Sequence, residues 1–359
     1  MPDNHKDSHK DALVAVVMAG GRGTRFWPRS RNARPKQFLS IVGTETLLHQ
    51  TVRRLDGHVS PDRIFVVTTE DLAAETRRML PELPAENVVV EPEGRNTAPC
   101  LALALVEIER KFPHAVMAVL SADHWIGDRE IFLEDLDLAV KHAAWEGELV
   151  TFGIKPTYPE TGYGYIESEG HGPVLKVKAF REKPPVEVAL QYLESGRHYW
   201  NAGMFVWTLA DFREGLQKHA PEVLAPLDTW VKAGADPATL NAAYRQLPKV
   251  AIDVALMEKA ETVAVVPTRF RWSDVGSWPA AIEFQETDSE GNVSQGETLL
   301  LDTRNSAFFG GKRLIAASGV DDLIVVDADD ALLICRRDRA QTVKQIVERL
   351  QAEGREDLL

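Results

Sequence analysis

Six apolar residues in succession, Leu13–Met18 (LVAVVM), run through Ala19 into Gly20-Gly21-Arg22-Gly23. A run this short with no polar position on either face predicts a strand buried on both sides, the kind found in parallel sheets covered by helices. The glycines predict a strand-to-helix turn whose backbone N–H groups can approach an anion closely. Beyond them come Arg22, Arg25, Arg29, Arg31, Arg34 and Lys36, with no Asp or Glu between. On a chain of 359 residues with a formal net charge of -13, this basic island points to a polyphosphate ligand.

The same texture repeats. Strands are expected at Leu13–Met18, Arg63–Thr68, Asn87–Val90 and Ala115–Leu120, alternating with helices at Thr46–Leu55, Asp71–Leu80, Ala98–Phe112 and Ile131–Trp145. Such alternation predicts an α/β, Rossmann-like, mostly parallel sheet flanked by helices, with ligands outside the carboxyl ends of the strands. The glycine turn and the turn Ser121-Ala122-Asp123-His124 both follow strands, so both fall on that edge. After Leu149 the pattern is mixed, with strands expected at Leu149–Gly153, Gly164–Glu167, Val174–Phe180 and Gly203–Thr208. From Glu286 onward, short strands separated by Gly, Asn and Asp turns predict a small β-rich module. It closes with a helix, Gln341–Gln351, that puts Val343, Ile346, Val347 and Leu350 on one face. The expected domains are therefore 1–285 and 286–359.

The acidic balance argues against nucleic-acid or membrane-surface partners, which need broad basic faces. No apolar run approaches the roughly 20 residues that cross a bilayer. The first eleven residues are polar and unlike a signal peptide, so a cytoplasmic protein is expected. Cys100 and Cys335 lack partners at metal-ligand or redox spacing and read as packed thiols.

The glycine turn is neither of the better-known phosphate loops. Gly-Lys-Ser/Thr is absent, which excludes a Walker loop. No third glycine stands near Phe26, which argues against a dinucleotide fingerprint and hence a nicotinamide-dependent reductase. What remains is G-x-G-T-R with Pro35-Lys36 downstream. Gly20, Gly21 and Gly23 allow close backbone approach, Arg25 offers a bidentate fork, and Lys36 offers a point charge. Taken alone, Asp123 reads equally as a helix N-cap, Asp274 as a turn residue, and Glu182-Lys183-Pro184 as an exposed charged turn. Trp200, Trp207, Trp272 and Trp278 read as core.

AGGRGTRFWPRSRNARPKQF resembles the signature of the sugar-nucleotide pyrophosphorylases. RNTAP (95–99), SADH (121–124), PETGYGYIE (159–167), FREKP (180–184), WNAGMFVW (200–207) and WSDVGSW (272–278) are similar to the mannose-1-phosphate guanylyltransferase branch. The resemblance runs from about Ala12 to the last helix. It implies a GT-A-like nucleotidyltransferase fold with a C-terminal, partial left-handed β-helix. The implied reaction is GTP plus mannose 1-phosphate giving GDP-mannose and pyrophosphate, by direct attack on the α-phosphorus. The rivals are another sugar-1-phosphate nucleotidyltransferase of the same fold and a non-catalytic regulatory paralogue.

By the same resemblance, Arg25, Lys36, Asp123 and Asp274 are catalytic, and Asp123 and Asp274 hold Mg²⁺. Ala19, Gly20, Gly21, Gly23, Thr24, Asn96 and Ser121 join Arg25 and Lys36 around the nucleotide. Gly162, Glu182, Lys183 and Asn201 face the sugar phosphate. A homodimer is implied, with the C-terminal module supplying its contacts and no chemistry. Longer relatives carry a further isomerase domain, and a chain ending at Leu359 is expected to lack it.

Overall fold

The computed structural model describes residues 12–21 and 23–359; Arg22 and the polar residues 1–11 lie outside the described residues. The chain forms two compact units. One comprises residues 12–20, Thr51–Ala122 and Ile126–Trp272, and the other Gly21–Gln50, Asp123–Trp125 and Ser273–Leu359.

The first unit is built on a nine-stranded sheet: β1 (Leu13–Met18), β2 (Ile64–Thr69), β3 (Val88–Glu91), β4 (Val116–Ser121), β5 (Leu149–Ile154), β6 (Tyr165–Glu169), β7 (Leu175–Arg181), β8 (His198–Thr208) and β9 (Val263–Pro267), in the order β3-β2-β1-β4-β8-β5-β9-β7-β6. The uninterrupted apolar runs are the parallel strands: β1, β2 and β4 are buried at five of six positions and pair in parallel. The chain moves outward from β1 to β3, then returns to β4 on the other side of β1. That reversal opens a crevice at the carboxyl ends of β1 and β4. Met18 pairs with Ser121 there, so Ala19–Gly20 and Ser121–Ala122 leave the sheet side by side.

Beyond β4 the sheet is mixed. β8 lies antiparallel to both β4 and β5, and β9 returns parallel to β5. β8 runs eleven residues, starting five earlier than the pattern predicted. Asn201 and Gly203 break its apolar run, and Gly203 sits at φ 64 beside a register shift between Thr151 and Gly153. This bulge places Asn201 in the sheet interior.

Helix Thr97–Glu109 is buried at ten of its 13 residues, because helix Pro221–Lys232 covers the side that the sheet does not. The sequence pattern predicted no helix over these residues. Pro221 occupies the first turn, where its missing N–H is needed by no intrahelical bond.

In the second unit, β10 (Val293–Gln295), β12 (Ala307–Phe309) and β14 (Leu323–Asp327) stack in parallel, with Val293, Ala307 and Ile324 in line. β11 (Thr298–Leu301) and β13 (Ile315–Ser318) stack likewise on a second face, and β15 (Leu332–Arg336) closes antiparallel to β14. These are β-helix coils formed without a hexapeptide repeat. The terminal helix Val343–Ala352 follows a 3₁₀ turn over Arg337–Thr342.

The units cut across a division at 285/286 for a physical reason. The basic loop after the glycines also contains Phe26, Trp27, Leu39, Ile41 and Val42, and these pack in one core with Trp278, Phe309, Ile324 and Val343.

Candidate active site

Gly23 has φ 57, the left-handed region that an L-residue enters at a cost of about 1–2 kcal/mol. A Cβ there would lie 2.2 Å from the Cβ of Lys36, so the turn closes directly onto that lysine. Thr24–Phe26 then forms a 3₁₀ turn, fixed by Phe26 edge-on to Trp278 at 5.0 Å. A second 3₁₀ turn, Lys36–Phe38, starts from Pro35 and buries Lys36. Its ammonium donates to Asp123 Oδ2 at 3.0 Å and to the backbone oxygen of Asp274. Burial pushes the Asp123 carboxyl up, but the charges of Lys36 and His124 and the Lys36 hydrogen bond outweigh it. The carboxyl therefore sits below its ordinary range and stays ionised.

Asp274 is held by its own turn. Ser273 Oγ accepts from Val275 N and Asp274 Oδ1 accepts from Gly276 N, both at 3.0 Å. Val275 lies at φ 44 although it is β-branched and fully buried. Such strain persists only where packing over-determines it, and here the core around Trp278 does so. At Gly276 a Cβ would come 2.7 Å from Asp274 Oδ2, so the carboxylate lies flat against bare backbone.

Gly23, Thr24, Arg25, Lys36, Asp123 and Asp274 thus line a single open cleft of about 300 Å³. Gly21 begins the turn, and among the described residues beyond its chain neighbours a Cβ on it would meet no atom within 4 Å. Lys344, from the terminal helix, lines the same cleft. Sequence reasoning missed it, because a lysine on an amphipathic helix carries no local mark of function.

In the first unit, Ala19 N donates to Val67 O at 2.8 Å, and a Cβ on Gly20 would lie 3.5 Å from Glu91 Oε2. Ser121 is half-buried at the end of β4, and its carbonyl accepts from Thr51 Oγ1 at 3.4 Å. Asn96 is exposed at φ 71 and caps helix Thr97–Glu109, its Oδ1 accepting from Thr97 N at 2.8 Å. Its amide nitrogen takes no part in this cap. Glu91, also missed by the sequence reading, is buried and accepts from the Tyr244 hydroxyl. Burial pushes its carboxyl up to about 7, against the hydrogen bonds from Tyr244 and Cys100.

A second cluster in that unit gathers Glu182, Lys183 and Asn201. A Cβ on Gly164 would fall 2.6 Å from Glu182 Oε1 and 3.4 Å from the Cβ of Asn201. Gly162, in the same ETGYG stretch, donates its N–H to Glu160 Oε1 at 2.7 Å. Lys183, at φ 43, holds its ammonium 3.7 Å from Glu182 Oε2. Asn201 Oδ1 accepts from Thr151 Oγ1 and Gly203 N, and its Nδ2 donates to Asp253 Oδ1 at 2.8 Å. Asp253, in a π-turn (Asp253–Met257), was not singled out from sequence. Burial raises both the Glu182 and Asp253 carboxyls, and the Asp253 charge raises Glu182 further.

Two family models cover nearly all of these elements: Nucleotidyl transferase over residues 14–291, and MannoseP isomerase/GMP-like beta-helix domain over residues 296–350. The chain belongs to the nucleotidyl transferase family. It falls in the family's mannose-1-phosphate guanylyltransferase branch. It is 41% identical over 362 residues to the mannose-1-phosphate guanylyltransferase of Escherichia coli K12, covering 96% of this chain and 75% of that one. It is 40% identical over 352 residues to the xanthan biosynthesis protein XanB of Xanthomonas campestris, covering 96% and 74%. A crystal structure from Thermus thermophilus, described as a mannose-1-phosphate geranyltransferase, superposes with a TM-score of 0.86 at 37% identity, over 95% of this chain and 99% of that one.

The donor set of this nucleotidyl transferase suits the Mg²⁺ expected from its motifs. Mg²⁺ prefers oxygen, takes one or two carboxylates from protein, and completes its shell with phosphate and water. Asp123 and Asp274 offer two carboxylates on one cleft beside the glycine turn. Among the described residues no cluster of three His, Cys, Asp or Glu forms the all-protein cage that Zn²⁺ or Ca²⁺ would favour.

Proposed function

We propose that this chain transfers GMP from GTP to α-D-mannose 1-phosphate, releasing pyrophosphate, with Mg²⁺ held by Asp123 and Asp274. The observation that carries the reading is Lys36, buried and bonded to both aspartate residues in the cleft closed by Gly23. A phosphate oxygen of the sugar phosphate bonds to the α-phosphorus as the bond to the bridging oxygen breaks, and pyrophosphate leaves with that electron pair. Both nucleophile and leaving group are already anionic, so catalysis is positioning and charge neutralisation.

The turn at Gly21, Gly23 and Thr24 presents N–H groups to the triphosphate, and Arg25 forks onto its oxygens. Lys36 is oriented before substrate arrives, so little reorganisation remains at the moment of reaction. Mg²⁺, when bound, supplies further neutralisation of phosphate charge. Asn96 keeps its amide nitrogen as a donor, which suits a purine acceptor, and Ser121 and Ala19–Gly20 flank the nucleoside at the β1/β4 crevice. Glu182 and Asn201 take sugar hydroxyls, Lys183 takes the sugar phosphate, and Gly162 lends backbone nearby.

The reading also takes the chain as a cytoplasmic homodimer. Exposed Leu299, Leu301, Leu314 and Ile334 on the C-terminal module support a self-contact, and light scattering would test it. No helix among the described residues is long and apolar enough to cross a membrane.

The principal test is pyrophosphate release with mannose 1-phosphate and GTP, UTP, dTTP or ATP. GTP is expected to win, because polar groups left unpaired by a wrong base discriminate strongly. A preference for a pyrimidine nucleotide would sink the assignment. Asp123→Asn and Asp274→Asn should each lose activity without unfolding, and a chelator should silence the wild type until Mg²⁺ is restored.

A further inference from the structure

The C-terminal module reaches into the cleft. We propose that Lys344 is a ligand of the β- and γ-phosphates of GTP, and of the pyrophosphate they become; the GTP part rests on the function proposed above. Three observations lead there.

The first is placement. Lys344 lines the cleft together with Gly23, Thr24, Arg25 and Lys36. Its helix is anchored through Val343 and Val347, buried in the same core as Phe26 and Trp27, and packs on the Thr24–Phe26 turn. The backbone of Lys344 is thereby fixed relative to the glycine turn, while its ammonium stays exposed on a flexible stem.

The second is charge. Arg25 and Lys36 are balanced by Asp123 and Asp274, and the Lys36 ammonium is already bonded to Asp123. Among the described residues lining the cleft, Lys344 tips this balance to positive, which favours a polyphosphate.

The third is availability. Among the described residues Lys344 pairs with Glu348, at 3.4 Å, an exposed contact one helical turn away. Pairs of this kind contribute about 0.3–0.5 kcal/mol, so exchanging Glu348 for a phosphate oxygen costs little. The outer phosphates are favoured over the sugar phosphate because Lys344 shares its wall with Gly23 and Thr24, whose N–H groups face the triphosphate in the reading above.

The test compares full-length wild type, Lys344→Ala and Lys344→Arg in both reaction directions, with pyrophosphate binding measured by calorimetry. Alanine is a strong helix former, so the helix should persist, and equal Tm values would confirm it. In Lys344→Ala, KM for GTP and for pyrophosphate should rise about tenfold, as for one lost charge-assisted contact. KM for mannose 1-phosphate and GDP-mannose should stay within twofold. Lys344→Arg should recover most of the loss, and the difference should shrink as salt rises. Unchanged KM for GTP and pyrophosphate in an active enzyme, or a rise confined to the sugar phosphate, overturns the proposal. An inactive wild type would count against the function proposed above instead. Calorimetry would then still decide whether Lys344→Ala weakens pyrophosphate binding, and equal binding would refute the role of Lys344.

Discussion

Replacing Gly23 by alanine adds one methyl group at the tightest point of the site. The new Cβ would stand 2.2 Å from the Cβ of Lys36, 3.1 Å from its N and 3.2 Å from its Cα. Carbon atoms rest at about 3.5–4.0 Å, so something must retreat by more than 1 Å. None of the three clashing atoms is moved by rotating the Lys36 side chain. The backbone of the Lys36–Phe38 turn must shift, and the 3.0 Å bond to Asp123 shifts with it. The left-handed φ of 57 adds about 1–2 kcal/mol, partly offset by the 0.4–1 kcal/mol gained from a stiffer unfolded chain. With about 1–3 kcal/mol for overpacking, the stability loss should come to about 1–5 kcal/mol. Activity should suffer more, because a 1 Å misplacement of a positioning group can cost on the order of 100-fold. Gly21→Ala is the matched control: among the described residues beyond its chain neighbours its Cβ meets no atom within 4 Å, so stability should hold within about 0.5 kcal/mol. Urea melts and kcat/KM for GTP on both variants provide the readout. A Gly23→Ala enzyme with wild-type kcat/KM and stability would refute this account of the turn.

Other perturbations act within the first unit. Asp253→Ala removes the acceptor of Asn201 Nδ2 and leaves that buried N–H unsatisfied, at about 1–3 kcal/mol. KM for mannose 1-phosphate should rise about tenfold with KM for GTP unchanged, and Asp253→Asn, which keeps an acceptor oxygen, should recover most of it. Equal effects of the two variants would remove the orienting role. The Glu91 carboxyl titrates at about 7 in the native state against about 4.5 unfolded, so the native state binds more protons between those values. Stability should therefore fall as pH rises from about 4.5 to 7, by on the order of 3 kcal/mol, and level off above. Glu91→Gln should flatten that slope in urea melts at pH 5 and pH 8, and an unchanged slope would reassign it to other groups.

Local pattern was a good guide wherever a segment's burial is complete. β1 is wholly apolar, and β2 and β4 carry polar residues only at their carboxyl ends (Thr68, Thr69 and Ser121), so little conceals their class; the glycines after β1 can serve few purposes beside a loop of arginines. It was a poorer guide where burial is selective. β8 hid its first half behind Asn201 and Gly203, whose bulge is what turns a polar amide inward toward Asp253. Helix Pro221–Lys232, which carries Pro221 and Pro226, was not expected. Glu91 and Asp253 sit in unremarkable stretches, and their environments come from Tyr244 and Asn201, more than 50 positions away in the chain.

The basic loop shows most clearly what local pattern leaves out. Phe26 and Trp27 stand among its arginines, Leu39 and Ile41 follow shortly after Lys36, and all four need a core of their own. That core is the β-helix and terminal helix, so the glycine turn is folded by residues far downstream in the chain. A module recruited to hold Phe26 in place necessarily brings its own side chains to the rim of the cleft, and Lys344 is the one that arrives there with a positive charge. Weakening the contact should therefore damage catalysis without touching any residue of the cleft. Val347→Ala removes a buried side chain on the face that meets this core and should cost about 1–3 kcal/mol. If the shared core positions the turn, kcat/KM for GTP should fall while the protein is still fully folded at assay temperature. A variant that loses stability but keeps wild-type kcat/KM would show that the turn holds its shape alone.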